Sequence, residues 1–273
     1  MVPAHRPAGR ELTLYPAAVP VLERDGAQIH YEVEGSGYPL LLFAPGGMNS
    51  IARLWRERPD APGQPLPWMD PTAELSDRFQ VISMDQRNAG ASTAPVAPDH
   101  GWATYAADHL ALLDHLGLER SHVMGGCIGA SFCLGLMQAA PERVSAAVLQ
   151  NPIGLSADNR SAFFAMFDGW ADQLAGRRPD VAAVAGAGGL DTFRQALFGG
   201  DFVFSVGRDF VSSCPVPLLV LSGNDTFHPQ PVAEEIARLA PDAELVLDWT
   251  GPTHHDATVA RVRAFLDTHT PPE

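Results

Sequence analysis

The stretch Ser121 to Ala140, SHVMGGCIGASFCLGLMQAA, constrains the chain more than any other. Val123 and Met124 lead into Gly125-Gly126-Cys127-Ile128-Gly129, and an Ala- and Leu-rich segment without proline runs on to Pro141. That is the pattern of a strand, a tight turn and a helix. Glycine at both ends of the turn leaves no Cβ to crowd the bend. Cys127, in the middle, can then hold a strained backbone conformation with its side chain pushed out at the helix N-terminus. A helix N-terminus favours thiolate over thiol, because it carries partial positive charge and free N–H groups. Cys127 is therefore a candidate nucleophile.

The rest of the composition narrows what such a nucleophile can serve. The 273 residues, 46% hydrophobic and 18% charged, suit one globular α/β domain with a sizeable core. Lys and Arg number 18 against 32 acidic residues, a formal charge of −14, which argues against nucleic acid or an anionic membrane as partner. Cys127, Cys133 and Cys214 are too few and too scattered for a disulfide framework. No CxxC or His/Cys spacing suggests a metal, and no cofactor is expected. The first twenty residues hold four prolines and no apolar core of signal-peptide type, so a loose N-terminal strap and a cytoplasmic location are expected.

Taken in order, Val19–Arg24 and Ala27–Glu34 read as strands joined at Asp25-Gly26, a dipeptide that favours a tight hairpin. Leu40–Ala44 is a continuous apolar run, the mark of a strand buried on both faces, and it ends in Pro45-Gly46-Gly47-Met48. Residues 52–71, with Trp55, Trp68 and several prolines, read as a long loop. Phe79–Met84, Val144–Gln150, Val216–Ser222 and Ala243–Leu247 complete the strands, and Trp102–Leu116 has helical spacing, with His109 and His115 as surface or packed residues. Alternation of strand and helix from Phe79 onward implies right-handed crossovers and a parallel sheet. From Ile153 to about Ser213 the pattern breaks into helical pieces carrying Phe163, Phe164, Met166, Phe167 and Trp170.

The Gly-x-Cys-x-Gly turn resembles the nucleophile elbow of the α/β-hydrolase fold family, with Cys where most members carry Ser, as in dienelactone-hydrolase-like enzymes and some thioesterases. Asp85-Gln86-Arg87-Asn88-Ala89-Gly90-Ala91-Ser92 resembles the family's Asp-x-Arg-Gly-x-Gly-x-Ser turn, with Asn88 for Gly. Asn tolerates a left-handed backbone, and Asp85 and Arg87 are expected to tie this turn together as an ion pair. The resemblance implies a mostly parallel eight-stranded sheet flanked by helices. It places the core at 1–152 and 214–273, with 153–213 as a helical lid whose aromatics line an apolar acyl pocket.

It also implies site residues. The loop after Leu40–Ala44 would supply one oxyanion-hole N–H, from Gly47 with Met48 beside it, and Ile128 the other. The acid at the end of Val216–Ser222, in Gly223-Asn224-Asp225-Thr226-Phe227-His228-Pro229, would be Asp225. The base would lie in Gly251-Pro252-Thr253-His254-His255-Asp256, where spacing does not separate two histidines; His254, nearer the loop apex, is ranked ahead of His255. Phe163, Phe167, Trp170 and Met48 are the expected substrate contacts. The implied activity is acyl hydrolysis of esters, lactones or thioesters through a Cys127–His254–Asp225 triad, with acyl transfer as an extension of it. The partner is a small acyl substrate, free or carrier-bound as a thioester. Two other classes stay open: a carbon–carbon bond hydrolase or lyase using His254 as base, and a non-catalytic small-ligand-binding protein. Acyl group, leaving group and oligomeric state are not written in the sequence.

Overall fold

A computed structural model describes residues 20–272 apart from 59, 60, 62, 65 and 158, so the N-terminal strap lies outside the described residues. Each apolar run found in the sequence becomes a strand: β1 Val21–Arg24, β2 Ala27–Glu34, β3 Tyr38–Phe43, β4 Phe79–Met84, β5 Ser121–Gly126, β6 Val144–Gln150, β7 Leu218–Leu221 and β8 Ala243–Val246. They form one sheet in the order β1-β2-β4-β3-β5-β6-β7-β8. β1 and β2 pair antiparallel across a two-residue turn in which Asp25 and Gly26 both have positive φ, the geometry that matches strand twist in a hairpin. β2 meets β4 antiparallel, and from β4 to β8 every pairing is parallel.

Burial on both faces explains the continuous apolar runs. Leu41 and Phe43 of β3 point into one core, and Leu40 and Leu42 into the other. The first core is covered by α2 (Trp102–His115), α3 (Ile128–Ala139) and α8 (Gln230–Leu239), and the second by α1 (Pro71–Leu75) and α9 (His255–His269). Helices on both faces leave the C-terminal ends of the parallel strands as the place where loops converge, which is where sites form in such sheets.

The segment between β6 and β7 is mainly helical. It carries α4 (Arg160–Ala175), α5 (Pro179–Gly186), α6 (Gly189–Phe198) and α7 (Arg208–Ser213). Phe163, Phe167 and Trp170 face Phe193 and Phe198 in a continuous aromatic cluster that belongs to the first core. Hydrogen bonds that tie this cap to the body include Trp102 Nε1 to the Leu197 carbonyl at 2.8 Å, Arg178 Nη1 to Asn88 Oδ1 at 3.3 Å and Arg178 Nη2 to the Ala94 carbonyl at 3.3 Å.

Two local expectations need correction. Asp85 and Arg87 are not an ion pair. Arg87 forms a bidentate bridge to buried Asp108 of α2, at 2.8 and 3.0 Å, while Asp85 accepts the N–H groups of Ala52 and Ala91, each at 2.9 Å. The acid serves backbone donors of two loops, its own turn and the one at Ala52, and the guanidinium meets a carboxylate on the neighbouring helix. The loop at 52–71 is also less irregular than its prolines suggest, since Ala52–Trp55 is a 3-10 turn that buries Trp55 completely. His109 is a core residue, fully buried, stacked on Phe43 and bonded to Gln86 Oε1 at 2.9 Å.

Candidate active site

The elbow at the end of β5 is built as the glycine spacing requires. Cys127 has φ 58 and ψ −120, a backbone conformation that a side-chain-bearing residue adopts only under constraint, and it lies directly before α3. The constraint is steric. A Cβ on Gly125 would overlap the Gly129 carbonyl, and one on Gly129 would overlap the Phe43 carbonyl of β3. The bend can therefore press flat against the neighbouring strand only with glycine at both positions. Cys127 N–H is tied to the Gln150 carbonyl at 2.9 Å, which leaves the half-buried thiol free to face the cavity above.

The imidazole that meets this thiol is His228, not His254. Its Nε2 is buried without a hydrogen-bond partner, His228 lines the same cavity as Cys127, and the charge of Cys127 acts on its titration. On the far side of the ring, Nδ1 lies 2.8 Å from both carboxylate oxygens of Asp225. Asp225 is itself held by its own loop, with Oδ1 accepting the N–H groups of Phe227 at 2.9 Å and His228 at 3.0 Å. Thus Asp225, His228 and Cys127 stand in line, and acid and base sit three residues apart on the loop after β7.

The electrostatics follow from that line. Burial favours the neutral thiol of Cys127, but the positive charge of His228, its hydrogen bond, and the N–H groups of Ile128 and Gly46 outweigh it and bring the thiol pKa below its ordinary value. Burial likewise opposes protonation of His228, and is overcome by the charge of Cys127 and by Asp225, so its pKa is raised. Asp225 is lowered to about 2, chiefly by the hydrogen bond from His228. Both shifts favour the thiolate–imidazolium form of the pair over the neutral one.

Ile128 N–H points at the sulfur, where an oxyanion donor was expected. The Gly46 amide also acts on the sulfur, and Gly46 and Gly47 both line the cavity. That cavity, about 210 Å³, opens over Cys127 and His228. Its apolar wall consists of Ile153, Phe163, Met166 and Phe227. Of the expected substrate contacts only Phe163 lies on it. Met48 is buried in the core, and Phe167 and Trp170 turn away toward Phe193.

His254 and His255 belong elsewhere. His254 precedes α9, its N–H bonded to the Gly251 carbonyl at 3.1 Å. His255 faces Asp256 and Glu74 along a surface groove with Trp68. Neither lines the cavity at Cys127. The signal for His228 was present in the sequence: a histidine three residues after an acid at the C-terminal end of a buried strand, within reach of the same sheet edge as the elbow. Among the described residues no cluster of metal-ligating side chains occurs, and no helix is long and apolar enough to cross a membrane.

A family model for the alpha/beta hydrolase fold matches residues 39–205. The chain belongs to this family. Among curated relatives of this α/β hydrolase is "Putative carbamate hydrolase RutD" of Azorhizobium caulinodans, 33% identical over 133 residues, which are 49% of this chain and 44% of the relative. The protein of the same name from Klebsiella pneumoniae is 34% identical over 97 residues, 35% of this chain and 36% of that one. The chain thus spans less than half the length of these relatives. Its fold is similar to that of an esterase from Rhodococcus sp. (TM-score 0.60, 23% identity, 92% of this chain and 98% of that one). It is also similar to that of an enol-lactonase from Burkholderia xenovorans (TM-score 0.59, 20% identity, 91% and 97%).

Proposed function

We propose that this α/β hydrolase is an acyl hydrolase of esters, lactones or thioesters that works through a covalent thioester on Cys127. The observation that carries the reading is His228, seated between the thiol of Cys127 and the carboxylate of Asp225. The thiolate attacks the substrate carbonyl, and the N–H group of Ile128 and one from the Gly46–Gly47 turn, all on the cavity wall, hold the oxygen as it takes negative charge. As the carbon–oxygen or carbon–sulfur bond of the leaving group breaks, His228 gives it the Nε2 proton. The neutral imidazole then takes a proton from water, which attacks the thioester; the acid departs, and the thiolate and imidazolium are restored. Asp225 keeps the ring in the Nδ1–H tautomer and stabilises its charge. The substrate is a small acyl compound, free or on a carrier, and residues 153–213 act as its lid.

A carbon–carbon hydrolase or lyase using histidine as resting base is less well served, because the charge of Cys127 and the contact with Asp225 raise the pKa of His228 and so favour its protonated form. The carbamate chemistry in the relatives' name is not carried over either. Carbamate is an anion, and the cavity's one cationic side chain, His228, is balanced by Cys127 and Asp225.

Intact-mass measurement after mixing with acyl thioesters, aryl esters and lactones tests the proposal. One acyl group should appear on the wild-type protein and none on Cys127→Ala, with turnover falling by several orders of magnitude in that variant. Turnover without any adduct, and retained by Cys127→Ala, would overturn it.

A further inference from the structure

Because the acyl group must lie over Cys127, the cavity above the sulfur carries information about which acyl group that is. We infer that the enzyme selects short, uncharged, aliphatic acyl groups of about four to six carbons, and that Phe163 sets the upper limit. This rests on the acyl-hydrolase reading and sharpens it.

Size comes first. The cavity of about 210 Å³ falls below the roughly 300–1,000 Å³ of pockets for drug-sized ligands. At roughly 30 Å³ per non-hydrogen atom, the share of one water in the liquid, it holds about seven such atoms. A hexanoyl group with its carbonyl oxygen fills it.

The wall that Phe163 gives the cavity is rigid. Phe163 is packed by three other rings, with centroid distances of 4.6 Å to Phe204, 5.2 Å to Phe227 and 5.7 Å to Phe198. Phe204 reaches its place through a left-handed backbone with φ 66, an outlier for a bulky side chain. A ring clamped in this way cannot swing aside for a longer chain, whereas Met166, unbranched and flexible, can adapt to the width of a shorter one.

Charge is the second filter. Ile153, Phe163, Met166 and Phe227 offer no hydrogen bond to an acyl tail, and both ionisable groups, Cys127 and His228, are occupied with each other. A terminal carboxylate or ammonium on the tail would be stripped of water with nothing in exchange.

The test is kcat/KM over a homologous series of p-nitrophenyl esters and N-acetylcysteamine thioesters from acetyl to dodecanoyl, with the hemisuccinyl ester as the charged match to butanoyl, and intact mass recorded for each. The expected profile peaks between butanoyl and hexanoyl, falls at least tenfold by decanoyl, and is at least a hundredfold lower for hemisuccinyl than for butanoyl. Phe163→Ala should move the peak to octanoyl or longer. Phe163→Leu, which keeps the site filled with an apolar side chain, should move it by a smaller step and guards against misfolding of the alanine variant. Adducts on Cys127 with rates level or rising to dodecanoyl, or with hemisuccinyl equal to butanoyl, would overturn this inference and leave the acyl-enzyme standing. Failure of every acyl group to reach Cys127 would overturn both.

Discussion

Replacing His228 and His254 one at a time by alanine separates the base that the geometry offers from the one that family position suggests. Without His228, Cys127 loses the opposing charge and the hydrogen bond that lower its pKa, and burial then acts unopposed by any imidazole. Even at an ordinary thiol pKa of about 8.5, only about 3% would be thiolate at pH 7, a loss of up to about thirtyfold from ionisation alone. Loss of proton transfer to the leaving group and from water adds about 10²–10⁴. The product, about 10²–10⁵ in kcat/KM, reaches the size seen when a triad member is removed. His254→Ala should stay within about twofold, since that residue does not line the cavity. Initial rates with a p-nitrophenyl ester and the alkylation rate of Cys127 by iodoacetamide both report the effect. The alkylation rate isolates the ionisation part, and in His228→Ala it should climb about tenfold per pH unit from 6 to 8. Near-wild-type activity in His228→Ala, or a thousandfold loss in His254→Ala with the fold intact, would refute the assignment.

Alkylation of the wild-type protein should rise less steeply from pH 6 to pH 8 than that of His228→Ala, because the thiol pKa is lowered, and Cys133 and Cys214, buried and with raised pKa values, should stay unmodified by peptide mapping. Gly129→Ala should cost about 3 kcal/mol or more, read as a shift in the urea midpoint, since its new Cβ meets a backbone carbonyl that no rotamer change can move. His109 and His122 are each held down to about 3, mainly by burial, so between about pH 3 and 6.5 the unfolded chain binds protons that the folded protein refuses. Stability is therefore full above 6.5 and falls with acid by up to ~1.4 kcal/mol per pH unit for each histidine, and His109→Gln or His122→Gln should flatten urea midpoints measured from pH 4 to 7.

The strands were legible because a sheet buried on both faces admits little besides Leu, Ile, Val, Phe and Ala, and β3 and β6 show it as unbroken apolar runs. Cys127 was legible because the elbow needs glycine at both 125 and 129 for reasons local to the chain. The base was not, since both histidine-bearing loops sit at the same edge of the sheet, and sequence alone does not say which of them leans over the elbow. The cavity wall was half legible for a similar reason. Phe163, Met166, Phe167 and Trp170 all lie on one broad side of α4, and a few tens of degrees of helix rotation decide that Met166 meets Gly47 while Phe167 and Trp170 meet Phe193.

Placing acid and base on one short loop changes what the site asks of the rest of the fold. In Asp225–His228 the carboxylate fixes the turn by accepting two backbone N–H groups and fixes the ring by accepting Nδ1–H, so the dyad is assembled within four residues at the end of β7. Only that loop must approach the elbow, and the turn before α9 is released to serve the opposite face. The same compactness favours sulfur over oxygen as nucleophile. The charge of Cys127 and then the carboxylate of Asp225 raise the pKa of His228, and the imidazolium is in turn the counter-ion that lowers the pKa of the thiol. A cysteine at 127 and an acid three residues before the histidine are thus two parts of one electrostatic arrangement, each of which makes the other workable.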